Sequence, residues 1–350
     1  MKANLNPIGI GSVPFNDVNY AIDVILKNFS KIPYWPQLPK LNNYENMYIQ
    51  FSEGLPGRVI DIEKGIIYVD TSKANLIEEI QEFYENSFSE EKIEYFKISE
   101  KYAKGLYEFK KRKIKAEVVK GHVTGPVSFG LTVTDENKKS IIYNNEFKDI
   151  ITTLISKKAK WQEKFLNEDE IKKIIIFFDE PYMVSYGSAF FNLPENEIIE
   201  IFNLCFNEIE GISGIHCCGN TDWSLIFKTS VKLINFDAFG YLDNFLLYTK
   251  QIKEFLKNGK FLAWGFVPTD DEKINQITVD DLKNLFDKAL NTLLKAGLEK
   301  ELILENSFIT PSCGTGVMKP ENAEKVFELT KRLSYELKEN YKLIWKSKKY

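Results

Sequence analysis

The chain has 350 residues, 44% of them hydrophobic, with 46 Lys+Arg against 50 Asp+Glu and a formal net charge of −4. That length buries a large core, and the near-balanced charge leaves no overall basic field to attract nucleic acid or an anionic membrane surface. No stretch reaches the roughly 18 apolar residues that span a bilayer, and the start, MKANLNPIGIGSVPF, has no apolar run of signal-peptide length. The expectation is a soluble cytoplasmic protein. Its four cysteines, two of them adjacent, suit a reducing compartment where thiols serve metals or catalysis rather than disulfides.

In chain order, NPIGIGSVP at 6–14 reads as a first strand, and the second is expected between 33 and 53, with YIQFSEG at 48–54 as the choice. GLPGRVIDIEKGIIYVD, with its Glu-Lys-Gly turn signal, reads as an inserted hairpin, and 71–104 as long helices. From about residue 116, β-rich runs alternate with amphipathic stretches. The runs are AEVVKGHVTGP, KKIIIFFDEP, GISGIHCCGN, VKLINFDAF, KFLAWGFVPT and NSFITPSCGTG. Between and after them lie EFKDIITTLISKKAKWQEKF, ENEIIEIFNLCFNEI, LLYTKQIKEFLKNG, TVDDLKNLFDKALNTLLKAG and ENAEKVFELTKRLSYELKENY, with apolar residues at three-four spacing. Glycines 259 and 297 close two of these as C-caps. This alternation predicts an α/β fold, a single (β/α)8 TIM barrel over residues 1–350 with an elaborated N-terminal third. An open doubly wound sheet is the alternative; Gly9, Gly11 and Ser12 only superficially resemble its glycine fingerprint. The lysine-rich runs KKRKIK (110–115) and KSKK near the C-terminus read as solvated surface.

A parallel barrel gathers reactive groups at the C-terminal ends of its strands. Here those ends hold Ser12, His122, Asp179 with Glu180, His216 with Cys217 and Cys218, Asp237, Trp264 and Cys313. His216 and Cys218 stand two apart, so in extended chain both point to one side, and Cys313 after the last strand supplies a third donor. A His-Cys-Cys set suits tetrahedral zinc with a fourth position left open, the pattern of a catalytic site. Cys205 reads as core, and Cys217 as facing away from its neighbours.

Taken together, GIGSVP, HVTGPVSF, IFFDEP, IHCCGN and TPSCGTG, in this order over nearly the whole chain, resemble the catalytic barrel of cobalamin-independent methionine synthase. Its superfamily also holds uroporphyrinogen decarboxylase and corrinoid-dependent thiol methyltransferases. The resemblance implies zinc on His216, Cys218 and Cys313, with Asp237 where the family has a glutamate ligand. It also implies that Ser12 and Asp179 hold the carboxylate and amino group of a thiol such as homocysteine, with Glu53 and Glu180 as further polar contacts. His122 is then a candidate acid catalyst and Trp264 a candidate stacking surface. Two departures bear on the methyl donor. The chain length has room for one barrel where the full-length synthases carry two, and GLTVTD follows GPVSF without the family's pterin-facing tryptophan. The expected activity is S-methylation of a thiol, with methylcobalamin or a corrinoid protein favoured over methyltetrahydrofolate. A decarboxylase-like lyase, for which Arg58, Arg112 and Arg332 are few, and a non-catalytic zinc-binding corrinoid partner are the alternatives.

Overall fold

The computed structural model describes residues 1–167, 173–189 and 191–343, so the KSKK run lies outside the described residues. Among the described residues no helix is long and apolar enough to cross a membrane. The described residues form nine strands: β1 (Arg58–Asp61), β2 (Ile66–Val69), β3 (Val118–Thr124), β4 (Thr134–Asp135), β5 (Lys173–Asp179), β6 (Ile212–Cys217), β7 (Leu233–Phe236), β8 (Phe261–Val267) and β9 (Ser307–Pro311). Six of them make one curled, all-parallel sheet in the order β3-β5-β6-β7-β8-β9, each strand beside its successor in the sheet. All six were legible as β-rich runs. Helices cover the convex face, among them Asn145–Leu166, Glu195–Asn207, Val279–Lys295 and Pro320–Asn340.

The helix boundaries follow from local chemistry. Asn144 caps Asn145–Leu166 by accepting from the amides of Glu146 and Phe147, and Thr278 with Asp281 forms a reciprocal capping box on Val279–Lys295. The helices Thr249–Lys257 and Val279–Lys295 are followed by Gly259 and Gly297 at φ +72° and +80°, the left-handed region that costs glycine nothing.

The regular sheet has six strands rather than the eight expected. The span from β9 back to β3 is crossed by two segments that make isolated parallel bridges, Pro7 to Ile309, Ser12 to Gln37 and Tyr34 to Lys120. Ile8 N–H donates to Ile309 O at 2.9 Å, Gln37 N–H to Gly11 O at 3.1 Å, and Lys120 N–H to Pro33 O at 2.9 Å. The first segment is the expected NPIGIGSVP. The second is PYWPQLP, and the choice of YIQFSEG is corrected: Met47–Gln50 is a short helix whose first turn is capped by Asn46. Prolines at 33, 36 and 39 explain why this stretch makes bridges and no ladder, since each lacks the donating N–H.

GLPGRVIDIEKGIIYVD is the expected hairpin: β1 and β2 pair antiparallel, and β4 adds to β2 in parallel. The stretch 71–104 breaks into Leu76–Ser87 and a 3-10 turn at Glu90–Phe96, with Lys104–Lys111 following. The basic run at the end of that helix is ion-paired, Lys111 with Glu100 and Glu108 and Arg112 with Asp23, as expected of solvated surface.

Two separate apolar clusters flank the sheet. The larger joins the convex face to the helices through residues such as Ile174, Ile176, Phe178, Trp264 and Phe266. The smaller lies on the concave face and contains Ile8, Ile10, Val118, Ile175, Phe177, Leu233, Phe261, Ala263 and Phe308. Period-two alternation sorts each strand between them. On the concave face the same parity that gives apolar residues early in each strand gives Lys120, Asp179, His216, Asn235 and Thr310 later, toward the C-terminal ends.

Candidate metal centre and substrate site

Strand register brings the later residues together: Asp179 pairs with His216, and His216 with Asn235. His216, Cys218 and Cys313 each offer one ligand atom, and these atoms lie within 4.8 Å of one another. His216 is buried, Cys218 and Cys313 partly so, and all four cysteines of the chain are free. The Cys313 thiol hydrogen-bonds to Cys218, which pulls the Cys218 thiol down and pushes that of Cys313 well up. Burial lowers His216 to about 4, against the opposing bond to Asn235, so its imidazole is neutral at neutral pH. The neutral imidazole is in the protonation state a metal requires, and of the two thiols Cys218 is the one that ionises readily, while Cys313 would give up its proton to the metal. The buried Nε2 of His216 has no hydrogen-bond partner, so one nitrogen is left with an unused lone pair or proton.

The other nitrogen is engaged. His216 Nδ1 lies 2.5 Å from Asn235 Oδ1, and Asn235 Nδ2 donates to Ala263 O at 2.9 Å and Thr310 Oγ1 at 2.8 Å. Neither Asn235 nor Thr310 was singled out from the sequence; the signal available was their parity with His216 in otherwise apolar strands.

Ser12 reaches the same place from the first segment. Gly316 N–H donates to its hydroxyl at 3.3 Å, and the Thr315 amide and hydroxyl to its carbonyl at 2.9 and 3.1 Å. A Cβ on Gly314 would stand 2.2 Å from Ser12 Oγ, so the glycine beside Cys313 is what lets the two segments meet. Asp179 is half-buried, and its Oδ1 atom is buried and unpartnered. Burial pushes its carboxyl up, opposed by the charge of Lys120, and burial lowers Lys120 in turn. Lys120, also missed in the sequence, is fully enclosed: its ammonium bonds to Ile10 O and sits 4.4 Å from the Phe177 ring centroid.

The remaining expected residues fall elsewhere or take structural duties. Glu180 turns away from Asp179 and caps the helix Pro126–Thr132, accepting from Val127 N–H (3.0 Å), Ser128 N–H (2.8 Å) and Ser128 Oγ–H (2.6 Å). Burial pushes its carboxyl up to about 7 despite those bonds. Glu53 spends both oxygens on Ser99, at 2.7 Å to its amide and 2.8 Å to its hydroxyl, and is not brought to the cluster. Asp237 follows β7 and caps the helix Ala238–Phe245 through Gly240 N–H at 2.8 Å. Its charge is felt by Cys218, but it does not belong to the three-residue ligand group. Trp264 as a stacking surface is corrected: its parity places it on the convex face, packed on Phe236, Phe245 and Phe266 with Nε1–H bonded to Ser307 Oγ at 2.9 Å. His122 stacks on Trp35 at 3.9 Å and 20°, with both ring nitrogens unpartnered, and burial with the Lys120 charge holds it neutral. Cys217 bonds to Gly219 O at 3.6 Å with its thiol pushed up to about 12, and Cys205 is core, both as expected.

No family model matches the chain, and no curated protein does. Solved structures do. A methyltransferase from Methanosarcina mazei is 10% identical with a TM-score of 0.50, covering 95% of this chain and 94% of that one. A B12-independent methionine synthase from a Shewanella species, in complex with selenomethionine, is 14% identical with a TM-score of 0.46, covering 68% of each chain. At these identities the likeness is one of fold.

Proposed function

We propose that this chain is a zinc-dependent methyltransferase that S-methylates a small thiol, and that the segments at 6–13 and 33–38 complete the six-stranded sheet as the remaining staves of a closed eight-membered barrel. The observation that carries the reading is the His216, Cys218 and Cys313 cluster, which gathers donors from two strand ends at the C-terminal side of a parallel sheet. Two thiols and a neutral histidine, three soft or borderline donors in all, fit zinc with one position left for substrate. Asp237, whose charge Cys218 feels, is a candidate for the fourth position through the oxygen that does not accept from Gly240 N–H. Bound zinc would supply thiol activation, holding the substrate sulfur as thiolate at neutral pH, where a free thiol is mostly protonated. The fold neighbour from Methanosarcina mazei, a methyltransferase, agrees with methyl transfer.

The chain's own residues bind and orient. Ser12, fixed by the 314–316 loop, is positioned to hold a carboxylate, and the unpartnered Asp179 Oδ1 to accept from an ammonium, as an amino-acid thiol such as homocysteine offers. Lys120 keeps Asp179 compensated while the site is empty of substrate. Burial of Lys120 and His216 would keep water from that side of the thiolate.

The donor in this proposal is methylcobalamin or a methylated corrinoid protein. The four tryptophans among the described residues, Trp35, Trp161, Trp223 and Trp264, are all buried, so none offers an open ring for a pterin to stack on. A tertiary-amine leaving group needs a proton, whereas a cobalt leaving group needs none, and the neutral His122 holds no proton it readily gives. Single-turnover assays of zinc-loaded protein with excess thiol test the choice, methylcobalamin against methyltetrahydrofolate. Faster methylation from methylcobalamin is expected; equal or faster turnover from the folate overturns the donor, and none from either overturns the activity. The free thiols fit a reducing, cytoplasmic setting.

A further inference from the structure

Beneath the cluster lies a polar chain that the proposed chemistry does not itself require. Asn235 sits on β7 opposite His216 in register, fully buried, and every side-chain polar atom it has is engaged. A backbone carbonyl only accepts, so the Asn235 atom 2.9 Å from Ala263 O is the amide nitrogen, and its second hydrogen goes to Thr310 Oγ1. The amide cannot flip without setting its oxygen against Ala263 O. Its Oδ1 therefore faces His216 Nδ1 at 2.5 Å, and an amide oxygen offers lone pairs alone. The nitrogen facing it must carry the proton.

We infer that Asn235 is a positioning residue that locks His216 as the Nδ1–H tautomer and so presents Nε2, as a bare lone pair, to the Cys218 and Cys313 sulfurs before any metal arrives. With Nδ1 engaged, the unpartnered Nε2 is the His216 nitrogen left free for the ligand group, the other half of that arrangement. Thr310 and Ala263 act through Asn235, which ties three strands, β7, β8 and β9, to one histidine. The metal half of this inference rests on the zinc reading above; the tautomer does not.

The test separates the two. The chain has only two histidines, so 15N-labelled metal-free protein carrying His122→Gln reports His216 alone. Its nitrogen shifts and long-range couplings should show a protonated Nδ1 and a bare Nε2 near neutral pH; a protonated Nε2, or rapid mixing of both tautomers, overturns the inference. Asn235→Ala should release the lock, giving mixed tautomers and about a 10–100-fold weaker hold on zinc in chelator competition, the usual consequence of losing a partner behind a metal-binding histidine. Asn235→Asp keeps the acceptor and should keep the protonated Nδ1, with zinc affinity nearer wild type. Unchanged zinc affinity in a folded Asn235→Ala overturns the positioning role. Should wild type bind no zinc, the cofactor proposal fails, and the nitrogen spectra still decide for or against the lock.

Discussion

The two ends of the concave face are built from one strand pattern and do opposite work. Early in the strands the inward residues are Val118, Ile175, Leu233, Phe261 and Phe308, a dry cluster with no polar atom to satisfy. Two to four residues later in the same strands they are Lys120, Asp179, Asn235 and Thr310, joined by His216. Burial stabilises the first set, at about 1.5–3 kcal/mol per large side chain. It opposes the second, where Asp179 is pushed up, Lys120 down and His216 down, and where Asp179 Oδ1 and His216 Nε2 are left without partners. A fold tolerates such groups where they are used. The comparison teaches that the apolar end holds the curled sheet together, while the polar end, opposed by the same burial, is where the proposed ligand would sit.

The comparison breaks first if the polar end proves dispensable for metal. Cys218→Ser and Cys313→Ser should each abolish zinc retention and activity, an affinity loss on the order of a thousandfold, while Cys205→Ser keeps both; metal analysis of purified variants reads this directly. At the apolar end, Phe308→Ala should lose about 3–5 kcal/mol of stability in urea denaturation of metal-free protein yet bind zinc normally once folded. A variant that loses both would merge the two regions into one. Within the polar end, Ser12→Ala and Asp179→Asn should each weaken homocysteine binding by roughly 1–3 kcal/mol with zinc retained. Should neither do so, the acceptor is a simpler thiol.

The smallest effect concerns Glu180, fully buried next to the half-buried Asp179 and fully bonded. Its carboxyl is raised from 4.5 to about 7, so the folded state holds its proton more tightly than the unfolded chain. The stability it contributes is complete below about pH 4.5 and is lost as pH rises through about 7. Glu180→Gln should cost roughly 1–2 kcal/mol for the mismatched bond to Ser128 or Val127 at low pH, and the gap to wild type should narrow as pH rises. Denaturation of both metal-free proteins from pH 4.5 to 7.5 checks it; a gap that widens refutes the assignment.

Much of this was legible before any coordinates. The six regular strands were readable because each is a Val, Ile and Phe run ended by Gly, Pro or Asp, and His216 with Cys218 because two-residue spacing fixes one face. Of the two segments that bridge β9 to β3, the first was read as NPIGIGSVP and the second was harder. YIQFSEG has strand composition, yet Asn46 starts a helix there, while PYWPQLP is masked as a strand by its own prolines. Trp264 was misplaced by one residue of parity, which in a strand exchanges the two faces. Glu53 and Glu180 carry chemistry-bearing side chains at plausible positions, and only their partners, Ser99 and the amides at 127 and 128, reveal that both are spent on structure. Asn235 and Lys120 were passed over because a single polar residue in an apolar run draws no attention until its cross-strand neighbours are known.

The central claim is tested most directly by X-ray absorption at the zinc edge of the loaded protein, with and without homocysteine. The account predicts one zinc with two sulfur ligands, from Cys218 and Cys313, and one imidazole nitrogen, rising to three sulfurs when the thiol is added. A metal whose sulfur count stays fixed on adding thiol, or a protein that takes up no stoichiometric zinc, would contradict it.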